Sequence, residues 1–582
     1  MEKKQTETLT AFDTSLLSAF QFGDPDGKLD EVLTHSAMVV RGAREFLAGN
    51  KAIVLGERGA GKSALFKLLA EGTFKFAEPS DKQLKPLVVA IDNEMHYLAV
   101  ANVVEERFED KSKRAAGKYL FLWEIFLLAT IIRSLVEAHS GDVEATTLET
   151  DFGDVLGIQA DSKHGISDFF ARFRFSVGTK FEQSGAVTPT LSVEPVRVGQ
   201  DARRVTDHEI AQFRERVRKF IRAKKRVVYV LVDRVDDFVT DQAYEEQKKN
   251  VQALVDCIQN YRYPELKLKV FLRADIFAKL NFERGIDKIA TQVVRLEWSS
   301  DDICEFVARR LLYNYHRVGV RLPNFNVSMA LLDADPSTRE KILQLFRSRP
   351  KSRIDSAKTI AEMLFLTVKV NWSNFRKKSY TARKTNSLDE AFRRFVTLVF
   401  PSRVAHMSVY CKREELSIQQ FLATHFVLGG QGPNPRLVLL FLQSVFEDAA
   451  EYYARNPDRR AVPANGAGEY ELLLNEHVLS GYRRTQELAR RTLAALNSKW
   501  TKKVEKLFTV LKHPVHAESL SLAEIRQITK WDSDDDDFRR FVAFYTHVGL
   551  LEDETRGTGK QYGDRSYCLP IVLRTCERSA GM

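Results

Sequence analysis

Along the first half of the chain, short apolar runs alternate with longer stretches in which hydrophobic and polar positions are mixed in an amphipathic pattern. Five runs are apolar at almost every position. They are residues 51–55, 86–92, 226–233, 268–272 and 293–297. A strand that is apolar at successive positions is buried on both faces, as in a parallel sheet covered by helices. Residues 46–300 therefore predict an α/β domain built on a parallel sheet.

One stretch inside this domain breaks the pattern. Residues 139–203 are polar, rich in Gly, Ser and Thr, and contain short alternating segments. Alternation with a period of two predicts strands, so we expect an insertion that contains a β-hairpin. Before it, residues 119–132 form an apolar run of about 14 residues that includes Glu124, which is too short to span a bilayer. This run predicts a buried core helix.

The other segments of the chain predict mainly helices. They are residues 1–45 (a helical segment), 301–454 (a helical lid domain), 455–497 (a linker and a helix) and 498–582. In the last of these, three amphipathic helices precede a hairpin, which is the plan of a winged helix. A chain of 582 residues is expected to divide into several domains in this way.

A glycine-rich motif follows the first predicted strand directly. Its residues are Gly56, Glu57, Arg58, Gly59, Ala60, Gly61, Lys62 and Ser63. The motif matches G-x-x-x-x-G-K-[ST], in which successive backbone N–H groups hold phosphate oxygens. The helix that begins near Lys62 adds its positive dipole end. Lys62 is expected to reach the β- and γ-phosphates, and the Ser63 hydroxyl to ligate Mg²⁺. The sequence therefore predicts binding of ATP with Mg²⁺, because the guanine-reading N-K-x-D signature is absent.

Carboxylates at the end of the third strand are candidates for the metal and for hydrolysis. Asp233 ends the apolar run 226–233 and predicts a group that holds the Mg²⁺ shell. Arg234 follows it, where many ATPases of this type carry glutamate. Asp236 and Asp237 could polarise the attacking water, or they could be solvated or helix-capping residues.

Two arginines are candidate sensors of the γ-phosphate. Arg273 closes the fourth strand, where a polar side chain faces the phosphates, but it could equally be a surface residue paired with Asp275. Arg436 stands at the start of a helix in the lid domain, from which an arginine can fold over a nucleotide. The alternative for Arg436 is an exposed arginine at a helix start.

The order of these motifs resembles that of bacterial AAA-like P-loop ATPases, in the group between the KAP and STAND signalling ATPases and the Cdc6/ORC-type ATPases. The resemblance is carried by residues 56–63, 233–237, 271–277 and 296–298, ahead of an Arg-rich helix. It implies a sheet of order 5-1-4-3-2, a helical lid and ATP-dependent assembly into a homo-oligomer. Relatives of this kind are frequent in prokaryotic anti-phage loci, which makes defence the expected setting.

The resemblance has departures and leaves roles open. Arg234 in the glutamate position puts fast turnover in doubt. Arg309 and Arg310 are candidates for an arginine finger by position, and an amphipathic surface pair is the alternative. The sequence contains no nuclease, deaminase, protease or NADase constellation, so an effector is expected on another chain. A nucleotide-bound scaffold that barely hydrolyses is a rival interpretation.

Charge adds a second rival, a DNA-binding ATPase such as a loader or a regulator of transposition or replication. The net charge of +10 favours an acidic partner. Aromatic and positively charged side chains alternate in one patch, which could bind single-stranded nucleic acid or could simply be a basic surface loop. The patch consists of Trp372, Phe375, Arg376, Lys377, Lys378, Tyr380, Arg383 and Lys384. The third C-terminal helix, however, begins with the acidic run 532–537, which DNA phosphates would repel. This run favours protein docking for the winged helix.

The expected compartment is the cytoplasm. The five cysteines lie far apart and lack the spacing of a zinc site, which is typical of buried, reduced thiols. The N-terminal residues contain no apolar segment of the kind found in a secretory signal. We therefore expect a cytoplasmic protein without a membrane segment.

Overall fold

The computed structural model describes most of the chain, in two compact units. The residues it describes are 14–77, 84–92, 115–155, 176–181, 187–192, 207–235, 244–278, 280, 289–318, 396, 399–407, 413–428, 432–457, 463–464, 469–470, 472–496, 499–510, 519–531, 535–547, 550–554 and 565–574. The sheet unit consists of the described residues within Gly42–Gly56 and Lys62–Leu296. The helical unit consists of those within Met1–Arg41, Glu57–Gly61 and Glu297–Met582.

The secondary structure follows the predicted alternation of strands and helices. The strands are β1 (Ile53–Gly56), β2 (Lys85–Asp92), β3 (Ser176–Phe181), β4 (Val187–Ser192), β5 (Arg226–Asp233), β6 (Leu266–Arg273), β7 (Val293–Arg295), β8 (Arg403–Met407), β9 (Arg413–Ser417), β10 (Pro463–Ala464), β11 (Glu469–Tyr470), β12 (Leu520–Ser521), β13 (Glu552–Asp553) and β14 (Ser566–Cys568). The α-helices are α1 (Leu33–Ser36), α2 (Arg41–Leu47), α3 (Lys62–Ala70), α4 (Ala115–Ala138), α5 (Val143–Val155), α6 (Asp207–Ala223), α7 (Tyr244–Asn260), α8 (Ala274–Phe277), α9 (Ser300–Arg317), α10 (Ile418–His425), α11 (Pro435–Arg455), α12 (Asn475–Ala495), α13 (Thr501–Val510), α14 (Leu522–Thr529) and α15 (Asp535–His547). Short 3₁₀ helices cover Thr14–Ala19 and Ile571–Leu573.

The sheet unit is built on a five-stranded parallel sheet of order β2-β5-β6-β1-β7. If the five strands of this sheet are numbered 1 to 5 in chain order, the order read from β7 is 5-1-4-3-2. β5 is buried at every position after its first residue, as expected for a central strand covered on both faces. The predicted fold class, an α/β P-loop NTPase, is confirmed by this topology.

The apolar run 119–132 lies in α4, and the helix is buried as predicted. Its one charged residue in that run, Glu124, is compensated inside the core. Arg214 Nη1 lies 2.5 Å from Glu124 Oε2, and the amide of Asn260 donates to the other carboxylate oxygen. A buried carboxylate is tolerated when it is paired in this way. Among the described residues, no helix is both long and apolar enough to cross a bilayer.

The segment predicted as an insertion contains a hairpin and one further helix among its described residues. β3 and β4 form the expected antiparallel hairpin. The segment also contains α5, which its polar composition did not predict. Leu148 and Phe152 of α5 are buried in the same cluster as α4, because their spacing of four residues places them on one face of the helix. The beginning of 139–203 therefore belongs to the packed sheet unit.

An N-terminal segment is packed into the core of the helical unit. Leu17 and Phe22 belong to the same buried cluster as residues of α9 and α11. Arg310 of α9 forms a two-pronged ion pair with Asp30, with N–O distances of 2.9 and 2.5 Å, and donates to the Phe22 carbonyl at 2.8 Å. Arg310 is only 1% exposed. The prediction of an amphipathic surface pair is therefore wrong for Arg310.

The neighbouring Arg309 also has partners within the helical unit. Its Nε donates to Glu305 Oε1 at 2.8 Å, and its Nη1 donates to the Ala37 carbonyl at 2.7 Å. Both arginines are therefore engaged in joining α9 to its own unit. A role for either residue as an arginine finger stays a prediction.

The last part of the chain contains the three predicted helices, α13, α14 and α15, and a three-stranded antiparallel sheet of order β12-β14-β13. Ser521 and Glu524 form a reciprocal capping box at the start of α14. Of the acidic run, Asp537 accepts a hydrogen bond from Lys499 Nζ at 2.8 Å. The winged helix stays an interpretation of these elements. The basic aromatic patch within 372–384 lies outside the described residues.

Three of the five cysteines lie among the described residues. Cys257 and Cys304 are free and buried, and Cys568 is free and partly buried. Within the described part of the chain, no cluster of three or more His, Cys, Asp or Glu side chains is arranged to hold a metal ion.

Candidate nucleotide-binding site

The glycine-rich motif lies between β1 and α3, as the sequence predicts. β1 is buried at all four positions and ends at Gly56, and α3 begins at Lys62. Gly59 has a φ of +83° and Gly61 a φ of +92°. This left-handed region is disfavoured for residues with a β-carbon, which explains why glycine stands at both positions. The loop 57–61 is thus a tight turn that the residue types of the motif permit.

Lys62 and Ser63 occupy the first two positions of α3. The ammonium group of Lys62 donates to the carbonyl oxygen of Gly56 at 2.9 Å, so it lies at the end of β1. The helix is anchored by buried apolar side chains, and Phe66 packs edge-on against Phe271 of β6. The N-terminal end of α3 is therefore fixed to the sheet on the side of the motif.

Two further predicted residues lie along the same edge of the sheet. Arg273, the last residue of β6, pairs in register with Gly56. Asp233, the last residue of β5, is 2% exposed. Ile53 of β1 and Val232 of β5 both pair with Val270 of the intervening strand. Because neighbouring strands are about 4.8 Å apart, Asp233 ends a strand that lies about 10 Å from β1.

The residue after Asp233 has an unusual backbone. Arg234 adopts a φ of +59°, a left-handed conformation that is strained by about 1–2 kcal/mol for a residue with a β-carbon. Strain of this kind is concentrated at functional sites. The two candidate hydrolytic carboxylates, Asp236 and Asp237, lie outside the described residues. Their role stays a prediction.

The helical unit contributes two side chains that contact the loop 57–61. Asn434, the N-cap of α11, donates through Nδ2 to the carbonyl of Arg58 at 2.8 Å. The indole Nε1 of Trp298 donates to the carbonyl of Ala60 at 2.9 Å. Neither contact was predicted from the sequence. Asn434 directly precedes the helix that the sequence predicts to begin near Arg436, but no local feature indicates what the side chains of Asn434 and Trp298 bind.

Arg436, the predicted second sensor, lies beside the same loop. A β-carbon built on Gly59 would stand 3.0 Å from the Arg436 β-carbon. It would also stand 2.6 Å from Asn434 Oδ1. Arg436 is the second residue of α11, and its backbone N–H is capped by Asn434 Oδ1 at 3.0 Å. The predicted sensor is therefore adjacent to the motif within the helical unit.

These residues are chemically suited to a nucleotide phosphate chain and a hard divalent cation. Successive N–H groups in a turn that contains left-handed residues form a concavity for anions. Mg²⁺ is usually held by one or two protein oxygens together with phosphates and water. The Ser63 hydroxyl and the Asp233 carboxylate are oxygen donors of that kind. The residues present therefore fit the phosphate chain of a nucleotide together with Mg²⁺.

Comparisons with known proteins give fold-level likenesses only. No protein-family model matches the chain, and no curated protein matches it. The chain is similar to the structure of the ORC2 protein of Aeropyrum pernix in ADPNP–ADP complexes, with 10% identity, 94% of each chain covered and a TM-score of 0.34. It is also similar to the structure of Cdc6p from Pyrobaculum aerophilum, with 10% identity, 93% of this chain and 94% of that chain covered, and a TM-score of 0.25. The case for the chemistry of this protein therefore rests on the geometry of its own residues.

Proposed function

We propose that this protein binds Mg·ATP at the motif 56–63 and hydrolyses it slowly. One observation carries the proposal: the motif forms a strand–loop–helix turn with two left-handed glycines at the carboxyl edge of a parallel sheet of order 5-1-4-3-2. Ligands of open α/β sheets bind outside the carboxyl ends of the strands. The position of Asp233 and Arg273 along that edge supports the same assignment.

Each residue has a proposed role. Lys62 exchanges the Gly56 carbonyl for the β- and γ-phosphates, and its charge offsets theirs. Ser63 and Asp233 would hold Mg²⁺, which when bound would neutralise charge on the phosphates. Arg273 and Arg436 detect the γ-phosphate. Asp236 or Asp237 orients the attacking water; this part of the proposal rests on the sequence alone.

Slow turnover is supported by the residue that follows Asp233. Arg234 stands where many ATPases of this type carry glutamate, so this position offers no carboxylate to take a proton from water. Its backbone is held in a left-handed conformation. Single-turnover hydrolysis by the wild type, Asp236→Ala and Asp237→Ala tests this point. We expect slow phosphate release by the wild type and a further loss in one of the two variants. Equal, negligible rates would remove both carboxylates from the mechanism and favour a nucleotide-bound scaffold.

Binding itself is tested by equilibrium dialysis with radiolabelled ATP and GTP, in the presence of Mg²⁺ or of EDTA. We expect retention of ATP, a preference for ATP over GTP, and weaker retention in EDTA, because the ion that Ser63 and Asp233 would hold could then no longer offset the phosphate charge. Asp233→Asn should reduce the effect of Mg²⁺. Retention of neither nucleotide would refute the proposal.

The nucleotide is proposed to control assembly of the protein into a homo-oligomer that acts as a switch or scaffold for a separate effector in anti-phage defence. This finer statement is supported by the resemblance of the motifs and by the proximity of Arg436 to the loop in the helical unit. Light scattering of the protein with ATP and with ADP tests it. We expect a larger particle with ATP for the wild type and a smaller response for Arg436→Ala. An unchanged mass in all samples would refute the switch.

A further inference from the structure

The loop of the motif is held by two side chains from distant parts of the helical unit. Asn434 donates to the Arg58 carbonyl at 2.8 Å, across 376 residues of sequence. Trp298 donates to the Ala60 carbonyl at 2.9 Å, across 238 residues. Both contacts are made to backbone oxygens, so they act on the orientation of the peptide groups and do not depend on the side chains of the loop.

The direction of these hydrogen bonds has a consequence for the N–H groups of the loop. A peptide group is planar and trans, so the C=O of one residue and the N–H of the next point in opposite directions. With the Arg58 carbonyl turned toward Asn434, the N–H of Gly59 points away from Asn434. In the same way, the N–H of Gly61 points away from Trp298. These are N–H groups that a phosphate chain would need.

The two donors are themselves fixed. Asn434 is 7% exposed, its Oδ1 caps α11, and its own N–H donates to the Phe426 carbonyl at 2.8 Å. The Trp298 ring packs edge-on against Phe306, with ring centroids 5.5 Å apart. The backbone carbonyl oxygen of Trp298 would lie 2.5 Å from a β-carbon built on Gly432, which has a φ of +100°. Neither donor can turn away from the loop without disturbing packed neighbours.

We infer that Asn434 and Trp298 are positioning residues that hold the N–H groups of the loop in the orientation that accepts phosphate. The inference rests on the proposed function, since it concerns the same site. It also makes the phosphate affinity depend on the segments that precede α9 and α11. Because binding free energies are linked reciprocally, phosphate at the loop would in turn stabilise these segments of the helical unit.

Two variants remove the hydrogen bonds with little other change. Asn434→Ser keeps a favoured N-cap residue for α11, but its shorter side chain does not reach the Arg58 carbonyl. Trp298→Phe keeps an aromatic ring against Phe306 and removes the N–H donor. Each lost hydrogen bond should weaken binding about fivefold, and the double variant about 20-fold or less, because the loop then samples other orientations.

Matched controls separate positioning from general stability. Asn475 of α12 makes two 3.0 Å hydrogen bonds to the backbone of Ala405, so Asn475→Ser removes a comparable contact elsewhere in the helical unit. Trp531 has an indole N–H with no hydrogen-bond partner among the described residues, so Trp531→Phe shortens an indole without removing a hydrogen bond. Both controls should bind nucleotide as tightly as the wild type, although Asn475→Ser should lower the melting temperature.

Calorimetric titration with Mg·ATP and with inorganic triphosphate tests the inference. The two positioning variants should lose affinity for both probes by the same factor, because the contacts act on the phosphate-facing N–H groups. If the wild type binds and the positioning variants bind like the controls, the inference is overturned while the proposed function stands. A loss for ATP without a loss for triphosphate would also overturn it. If the wild type binds neither probe, the proposed function itself fails.

Discussion

Replacing Gly59 by alanine tests the described loop at its most crowded point. The added β-carbon would stand 2.6 Å from Asn434 Oδ1, a separation too short for these two atoms. Asn434 Oδ1 also caps α11 by accepting from the N–H groups of Arg436 and Leu437. The side chain of Asn434 can therefore withdraw only by giving up the cap, the bond to the Arg58 carbonyl, or both.

The expected magnitude follows from these contacts. The left-handed backbone alone costs an alanine about 1–2 kcal/mol. Loss of a cap and of a hydrogen bond adds about 1 kcal/mol each. If the loop relaxes in the free protein to avoid the collision, ATP binding has to restore the original orientation of the loop. The two lost contacts, about 2 kcal/mol together, would then lower the binding free energy and weaken ATP affinity about 30-fold.

Gly72→Ala is the matched control for this variant. Gly72 has a φ of +71°, but a β-carbon there would meet nothing within 4 Å. The control should therefore lose a similar amount of stability to backbone strain and bind ATP like the wild type. The assay is urea unfolding without nucleotide, followed by calorimetry with Mg·ATP. If Gly59→Ala binds ATP as tightly as Gly72→Ala, the described packing around the loop is not what phosphate binding requires.

Three further predictions concern the helical unit. Arg310→Met should lower the free energy of unfolding by about 3–5 kcal/mol, because it leaves the Asp30 carboxylate buried without its partner. In urea unfolding, the double variant Arg310→Met with Asp30→Leu should recover part of this loss. A loss below about 1 kcal/mol in the single variant would refute the buried pair. Burial, together with the neighbouring His406, lowers the pKa of His425 to about 3, whereas the pKa in the unfolded chain is near 6.5. The contribution of neutral His425 to the stability of the fold is therefore complete above pH 6.5 and is lost as the pH falls toward 3. Melting curves should show a loss of about 2 kcal/mol from this group at pH 5, which His425→Phe should remove; a pH dependence identical in both proteins would contradict the assignment. Arg436→Ala should weaken ATP binding about tenfold more than ADP binding in competition titrations, because only ATP carries the γ-phosphate, and an equal effect on both nucleotides would exclude a sensor role.

The sheet could be predicted from the sequence because burial on both faces leaves a local signature. The run 226–233 coincides with β5, and the run 86–92 differs from β2 by one residue. The glycine-rich motif is equally local, since its strand, turn and helix are contiguous in the chain. Helix α5 was missed because its few buried residues are separated by polar ones, which a short window reads as loop.

Contacts between distant segments could not be predicted. Asp30 gives no sign in its neighbourhood that it will pair with Arg310, 280 residues away, and charge alone suggested a solvated surface. Trp298 and Asn434 likewise find their partners only after the chain has folded, and their partners are backbone oxygens that every residue carries. A contact to a backbone group leaves no mark on the sequence of its acceptor, which is why this part of the site emerges only from the structure.

The central claim is that the turn after β1 binds a triphosphate, with Lys62 completing the site. Calorimetry of Mg·ATP binding to the wild type and to Lys62→Ala tests it most directly. Lys51→Ala is the control, because Lys51 Nζ also donates to a backbone carbonyl of the sheet unit, that of Thr291 at 2.9 Å. We predict that the wild type and Lys51→Ala bind equally, whereas Lys62→Ala loses about 3 kcal/mol, or about 150-fold in affinity. Equal binding by all three proteins, or no heat of binding to the wild type, would contradict the account.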